Sequence, residues 1–171
     1  DIRADGTSGR DVLDGNSGRN ILVGGAGNDT LFGNAETDVL LGGDGNDRLD
    51  GGAGNDFLNG GVGADRFFFR TASEADFDVV EDFEVGDKID LTGIDANTLV
   101  AGNQAFSFVG ALGFTGQAGQ LRYDNPIVVG NPRFDSGFGT FVEGDIQGDG
   151  MADFVIFFEG FKSFIASDFV L

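Results

Sequence analysis

The chain has 171 residues, of which 31 are glycine and only 2 proline, and its 40% hydrophobic residues include 19 phenylalanines; that is too apolar for a disordered acidic tail and enough for one or two small domains. Its 29 acidic residues against 10 basic ones give a formal charge of −19, which repels nucleic acid and anionic membrane surfaces and favours a cation as partner. With no cysteine and no histidine, disulfides, thiolate or imidazole metal sites, haem ligation and every histidine-based triad are excluded.

The first ten residues, DIRADGTSGR, have neither the basic nor the apolar region of a cleavable signal peptide. No run approaches the ~18–20 apolar residues of a membrane span. From Gly6 a nine-residue frame then closes seven times without a gap, as GTSGRDVLD, GNSGRNILV, GGAGNDTLF, GNAETDVLL, GGDGNDRLD, GGAGNDFLN and GGVGADRFF, ending at Phe68. Position one is always glycine, and position four is glycine except at Glu36. Position six is aspartate except at Asn20, and position eight is leucine until Phe67. Glycines at positions one and four allow the positive φ and close backbone approach of a tight turn, and position eight is the inward residue of a very short strand. Two units make one coil, and stacked coils build two parallel sheets around a thin ladder of leucines.

That core is meagre against the backbone entropy of ordering so much glycine, so something else must hold the turns. Units two apart stack, which places Asp11, Asp29, Asp47 and Asp65 in one column and Asn20, Asp38 and Asp56 in the other. Carboxylates one strand spacing apart repel, and a hard dication between successive turns reverses that sign. Calcium suits such sites better than magnesium, because it accepts six to eight oxygens at flexible geometry, turn carbonyls among them. The carbonyl donors would come from Gly9, Gly18, Gly27, Gly45, Gly54 and Gly63 at position four and from Gly25, Gly43, Gly52 and Gly61 at position two. Three gaps in one column and two in the other predict about five ions, the weakest at Asn20 and at the Glu36 turn.

The unit GGAGNDTLF resembles the RTX nonapeptide GGxGxDxUx of bacterial secreted proteins. The resemblance covers residues 6–68 and implies a right-handed parallel β-roll with calcium between its turns.

Positions seven and nine point outward. In odd units they read Val12, Asp14, Thr30, Phe32, Arg48, Asp50, Arg66 and Phe68, a mixed face. In even units they read Ile21, Val23, Val39, Leu41, Phe57 and Asn59, an apolar face that should be covered by the C-terminal half or by an upstream domain.

Beyond the repeats, short apolar alternations such as FDVVEDF, DKIDL, QLRYD, TFVEGDI, ADFVIFF and SDFVL, separated by turn residues, read as antiparallel strands. With 14 of the 19 phenylalanines after residue 71, this half owns the bulky core and caps the open end of the roll. The fold class is therefore all-β: a parallel β-roll over residues 1–68, then a Phe-rich antiparallel β cap over residues 69–171. Within the cap, DIQGDGMAD places oxygens at alternate positions, on Asp145, Gln147, Asp149, the Met151 carbonyl and Asp153. It is the opening of an EF-hand-like loop without its closing glutamate, and a weaker candidate for one more calcium.

Residues 64–171 resemble the C-terminal domain of serralysin-type secreted metalloproteases, through GADRFFF, DVVEDFEVGDKIDL, FTGQAGQLRYD, GDIQGDGMADFVI and the terminal SDFVL. The resemblance implies type I secretion read from an uncleaved C-terminal signal at Asp168, Phe169, Val170 and Leu171, and so an extracellular protein exported without a leader. The family's HExxH zinc site has no counterpart in a chain without histidine, so no enzyme is expected. The reading is a calcium-binding, non-catalytic C-terminal module. Its partners would be an upstream catalytic domain on the even-unit face and the type I secretion apparatus. The alternative is a module binding alginate-like polysaccharide, for which the sequence offers Arg48 and Arg66 in one outward column.

Overall fold

The structure is a computed structural model in which residues 1–75, 77–125 and 139–171 are described. The repeats fold as the period dictates. Each unit contributes one short strand: β1 (Ile2–Asp5) before the first unit, then β2 (Val12–Asp14), β3 (Asn20–Ala26), β4 (Thr30–Ala35), β5 (Val39–Asp44), β6 (Arg48–Ala53), β7 (Phe57–Val62) and β8 (Arg66–Phe68). Alternate strands pair in parallel, so Leu22, Leu40 and Leu58 stack in one sheet and Leu13, Leu31, Leu49 and Phe67 in the other. From Leu22 onward these position-eight side chains are fully buried.

The glycine-bearing repeats stop at Phe68, yet both sheets run on. β9 (Asp78–Val80) adds in parallel to β7, and β10 (Lys88–Asp90) adds in parallel to β8. The step to the next coil lengthens here from 18 residues to 22, because four extra residues enter between Phe68 and Asp78. Val80 and Ile89 thereby continue the two inward ladders, both fully buried.

Among the described residues four further strands extend the first sheet: β11 (Ser107–Gly110), β12 (Gln120–Asp124), β13 (Gly139–Asp145) and β14 (Phe154–Glu159). The sheet order is β1-β3-β5-β7-β9-β14-β13-β12-β11. The pairs β12–β13 and β13–β14 are antiparallel, as the short alternations predict. β14 on β9 and β11 on β12 are parallel. In the second sheet β15 (Phe169–Val170) lies in parallel on β10. The chain thus caps its roll by laying later strands on the last coil through long connections, which parallel pairing requires. Phe83, Phe158, Phe164 and Phe169 close the end of the leucine ladder, with ring centroids 4.8 Å apart for Phe158 and Phe164 and 5.6 Å for Phe164 and Phe169.

Among the described residues the apolar even-unit face is covered only at its far end. Val79 and Phe157 are buried there, whereas Ile21 is 40% and Phe57 39% exposed. Ile2, Ile21, Val39 and Phe57 line a groove of about 440 Å³ with Arg3 and Arg19 at its side.

Candidate metal centre

Turn geometry divides the glycines into two kinds. Positive φ occurs at positions two and four from the third unit onward, for example 110° at Gly43 and 134° at Gly45. At position one, of the two expected reasons, close approach is the one that holds: it needs glycine for space and not for a positive φ. A Cβ on Gly42 would fall within 3.0 Å of the Gly60 carbonyl oxygen two units on and of the Asp47 carboxylate. In the fourth unit Asn34 and Glu36 take the same positive φ, 81° and 69°, without being glycine. Gly9 and Gly18, in the first two units, do not adopt it.

The position-six side chains form the two predicted files. The Asp29 Oδ1 accepts from the Asp11 N–H at 2.7 Å, the Asp47 Oδ1 from the Asp29 N–H at 2.7 Å, and the Asp65 Oδ1 from the Asp47 N–H at 2.8 Å. In the other file the Asp38 Oδ1 accepts from Asn20 at 2.6 Å and the Asp56 Oδ1 from Asp38 at 2.8 Å. Each carboxylate thus uses one oxygen to tie two coils together. The second oxygen has no donor: Oδ2 of Asp29, Asp38, Asp47, Asp56 and Asp65 is buried and without a hydrogen bond. Asp11 departs from this, since its Oδ2 accepts from the Thr7 N–H and hydroxyl.

Five buried carboxylate oxygens without donors are expensive. Burial pushes the Asp56 carboxyl up to about 7 and the Asp65 carboxyl up to about 6, with neighbouring carboxylates adding to the effect. The Asp38 and Asp47 carboxyls are raised by the same burial. Among the described residues no point gathers three or more acidic side chains. An ion between coils would therefore take its remaining oxygens from the turn carbonyls. Hard oxygen donors, negative charge and missing hydrogen-bond donors together fit calcium, which tolerates such mixed and irregular shells.

Two members of the files escape a search by glycine pattern. The Asp78 Oδ1 accepts from the Asp56 N–H at 2.8 Å and the Asp87 Oδ1 from the Asp65 N–H at 2.9 Å. Both are buried, and burial raises both carboxyls. The signal was available: Asp78-Val-Val and Asp87-Lys-Ile repeat the acid-x-apolar core of the unit nine residues apart. At Asp87, Oδ2 already accepts from the Glu84 N–H.

In the 145–153 loop the acidic groups face the backbone. Asp145 accepts from the Gly148 and Gly150 N–H groups, Asp153 from the N–H groups of Ile146 and Gln147 and from the Gln147 side chain, and Asp149 from the Met151 N–H. An ion there would have to displace these donors. At the C-terminus Asp168 accepts from the Ile165 N–H, Phe169 is buried, and the Val170 carbonyl accepts from the Leu91 N–H at 3.0 Å.

Register also aligns three outward cations, Arg48, Arg66 and Lys88, on adjacent strands of the second sheet. The guanidinium groups of Arg48 and Arg66 lie 4.2 and 5.3 Å from the Phe68 ring centre. Arg66 pairs with Asp90 at 3.0 Å, and Arg70 pairs with the buried Asp50.

Against known families, the profile of the RTX calcium-binding nonapeptide repeat (4 copies) matches residues 5–40 and 32–67. Among solved structures the chain is similar to the solution structure of the AlgE6R3 subunit from the Azotobacter vinelandii mannuronan C5-epimerase. The identity is 25% and the TM-score 0.43, over 96% of this chain and 80% of that one. No curated protein matches.

Proposed function

We propose that the whole chain, whose residues 5–67 match the RTX calcium-binding nonapeptide repeat, is a non-catalytic module that folds on calcium after export from the cell. The observation that carries this is the set of buried, donorless Oδ2 atoms on Asp29, Asp38, Asp47, Asp56 and Asp65. Bound calcium supplies the positive charge these oxygens lack. Where calcium is scarce, as in the cytosol, the acidic columns keep the repeats unfolded and threadable. Outside, a ligand that binds only the folded state stabilises it by RT ln(1 + [L]/Kd) per site, so about five sites at tens of Kd contribute on the order of 10 kcal/mol. That is comparable with a whole domain's stability.

In this proposal the chain is the C-terminal part of a secreted bacterial protein of the serralysin-like kind, exported by a type I apparatus that reads its last residues. The groove at Ile21, Val39 and Phe57 receives the upstream domain. The test is far-UV circular dichroism during calcium titration, with magnesium as control. A cooperative gain of β signal with calcium alone supports the proposal, and a complete β spectrum in EDTA overturns it.

A second reading, binding of a polyuronate such as alginate, is favoured by the in-register Arg48, Arg66 and Lys88 on a chain that is otherwise strongly acidic. Three cations one strand apart match a regularly spaced polyanion. Isothermal titration with alginate oligomers at saturating calcium decides it, and absence of heat removes this reading.

A further inference from the structure

We infer that Asn20 replaces the cation at its own rung of the roll, so that the gap between the second and fourth units is built to be ion-free. The inference rests on the calcium reading above and adds which rungs take an ion.

Asn20 is 2% exposed and stands at position six, where every other unit has aspartate. Its Nδ2 lies 2.6 Å from the Gly18 carbonyl oxygen, 2.8 Å from the Asp38 Oδ1, and 3.1 Å from the carbonyl oxygens of both Asn16 and Gly33. Its Oδ1 faces the Asn16 N–H, so the amide is oriented by four acceptors on one side and a donor on the other. An NH2 group has two hydrogens. Four oxygens converging on it are more acceptors than it can satisfy singly, which is the arrangement of a small oxygen cage for a cation.

The members of that cage are repeat positions. They are the carbonyls at positions two and four of the unit itself, the position-one carbonyl two units on, and the position-six carboxylate two units on. In the aspartate units from Asp29 onward the corresponding atom is Oδ2, and there it has no donor. The two cases therefore differ by a donor: the amide supplies its own positive hydrogens, whereas the carboxylate leaves a ring of oxygens that only an external cation can satisfy. The neighbouring Asp11 is likewise self-satisfied through Thr7. The roll thus starts on a coil that holds itself, and the ion-bearing turns follow.

The experiment counts bound calcium per chain, by native mass spectrometry and by equilibrium dialysis with elemental analysis, for the wild type, Asn20→Asp and Asp38→Asn. The expected result is one ion more for Asn20→Asp and one fewer for Asp38→Asn, with the β-roll spectrum in calcium kept by both. An Asn20→Asp chain that folds and binds the wild-type number overturns the inference while leaving calcium binding intact. Should Asn20→Asp not fold, the decision passes to the other rung. There Asp38→Asn must lose one ion and still unfold at a higher denaturant concentration than Asp38→Ala, because only the amide can stand in for the ion. Equal midpoints for those two overturn the inference. Absence of calcium binding in the wild type itself removes the calcium reading and this inference with it.

Discussion

Glu36 occupies a turn position whose backbone was made for glycine. Its φ of 69° puts an exposed L-residue in the left-handed region, at a cost of about 1–2 kcal/mol. Its carboxylate also raises the Asp38 carboxyl by repulsion, after the larger effect of burial. Glu36→Gly relieves both, at the smaller expense of a more flexible unfolded chain. We expect a net gain of about 1 kcal/mol, read as a thermal midpoint roughly 2–4 °C higher at fixed free calcium. An unchanged or lower midpoint would mean that the turn tolerates the side chain without strain. The acidic files themselves were legible from nine-residue spacing, because that spacing fixes which residues stack. Close backbone approach at position one was legible as well, but not its source, which is a carbonyl 18 residues away rather than the local turn. Nor does the sequence reveal that Asp11 and Asn20 find partners inside their own units.

At the level of strands, β10 is where the roll and the tail meet. Ile89 takes the next place in the inward ladder above Phe67, and Phe169 of β15 sits beside it in register. The Lys88 ammonium reaches the Ser167 carbonyl at 2.6 Å and the Lys162 ammonium the Phe83 carbonyl at 2.7 Å, so the tail is tied at two points. Phe169 is buried against Phe108, 4.9 Å between centroids, and Phe164. Phe169→Ala opens the cap where the ladder ends and should cost about 3–5 kcal/mol, seen as a lower urea midpoint at saturating calcium. A loss under 1 kcal/mol would show that the tail merely rests on the roll. All-β class, the parallel roll and the Phe-rich cap follow from period and composition. The parallel pairing of β9, β10, β14 and β15 does not, because four inserted residues break the phase and the turn glycines disappear while the strands persist. Only the nine-residue interval between Asp78 and Asp87 preserves the trace.

For the molecule as a whole, protons and calcium compete for the same oxygens, and the direction of that competition can be worked out. In the folded chain burial raises Asp56 to about 7 and Asp65 to about 6, against an ordinary carboxyl value of 3.8. The folded state therefore binds more protons than the unfolded one between those limits. Stability from this source is fully present below the ordinary carboxyl value and is lost as pH rises through about 6 to 7. Acidification also reduces the repulsion within a chain of formal charge −19. In EDTA, the chain should consequently gain β signal on going from about pH 7.5 to about pH 5, the reverse of ordinary acid unfolding. With calcium present the dependence inverts: an ion that takes the carboxylates must expel their protons, so apparent affinity should fall as pH drops through the same window. Proton release is measurable directly, by titrating calcium at about pH 6 in buffers of different ionisation enthalpy and reading the difference in heat. A calcium-free chain that is equally unstructured at both pH values, with no proton released on binding, would mean that the buried carboxylates are already paired some other way. The orphaned oxygens would then no longer explain why the roll needs its ion.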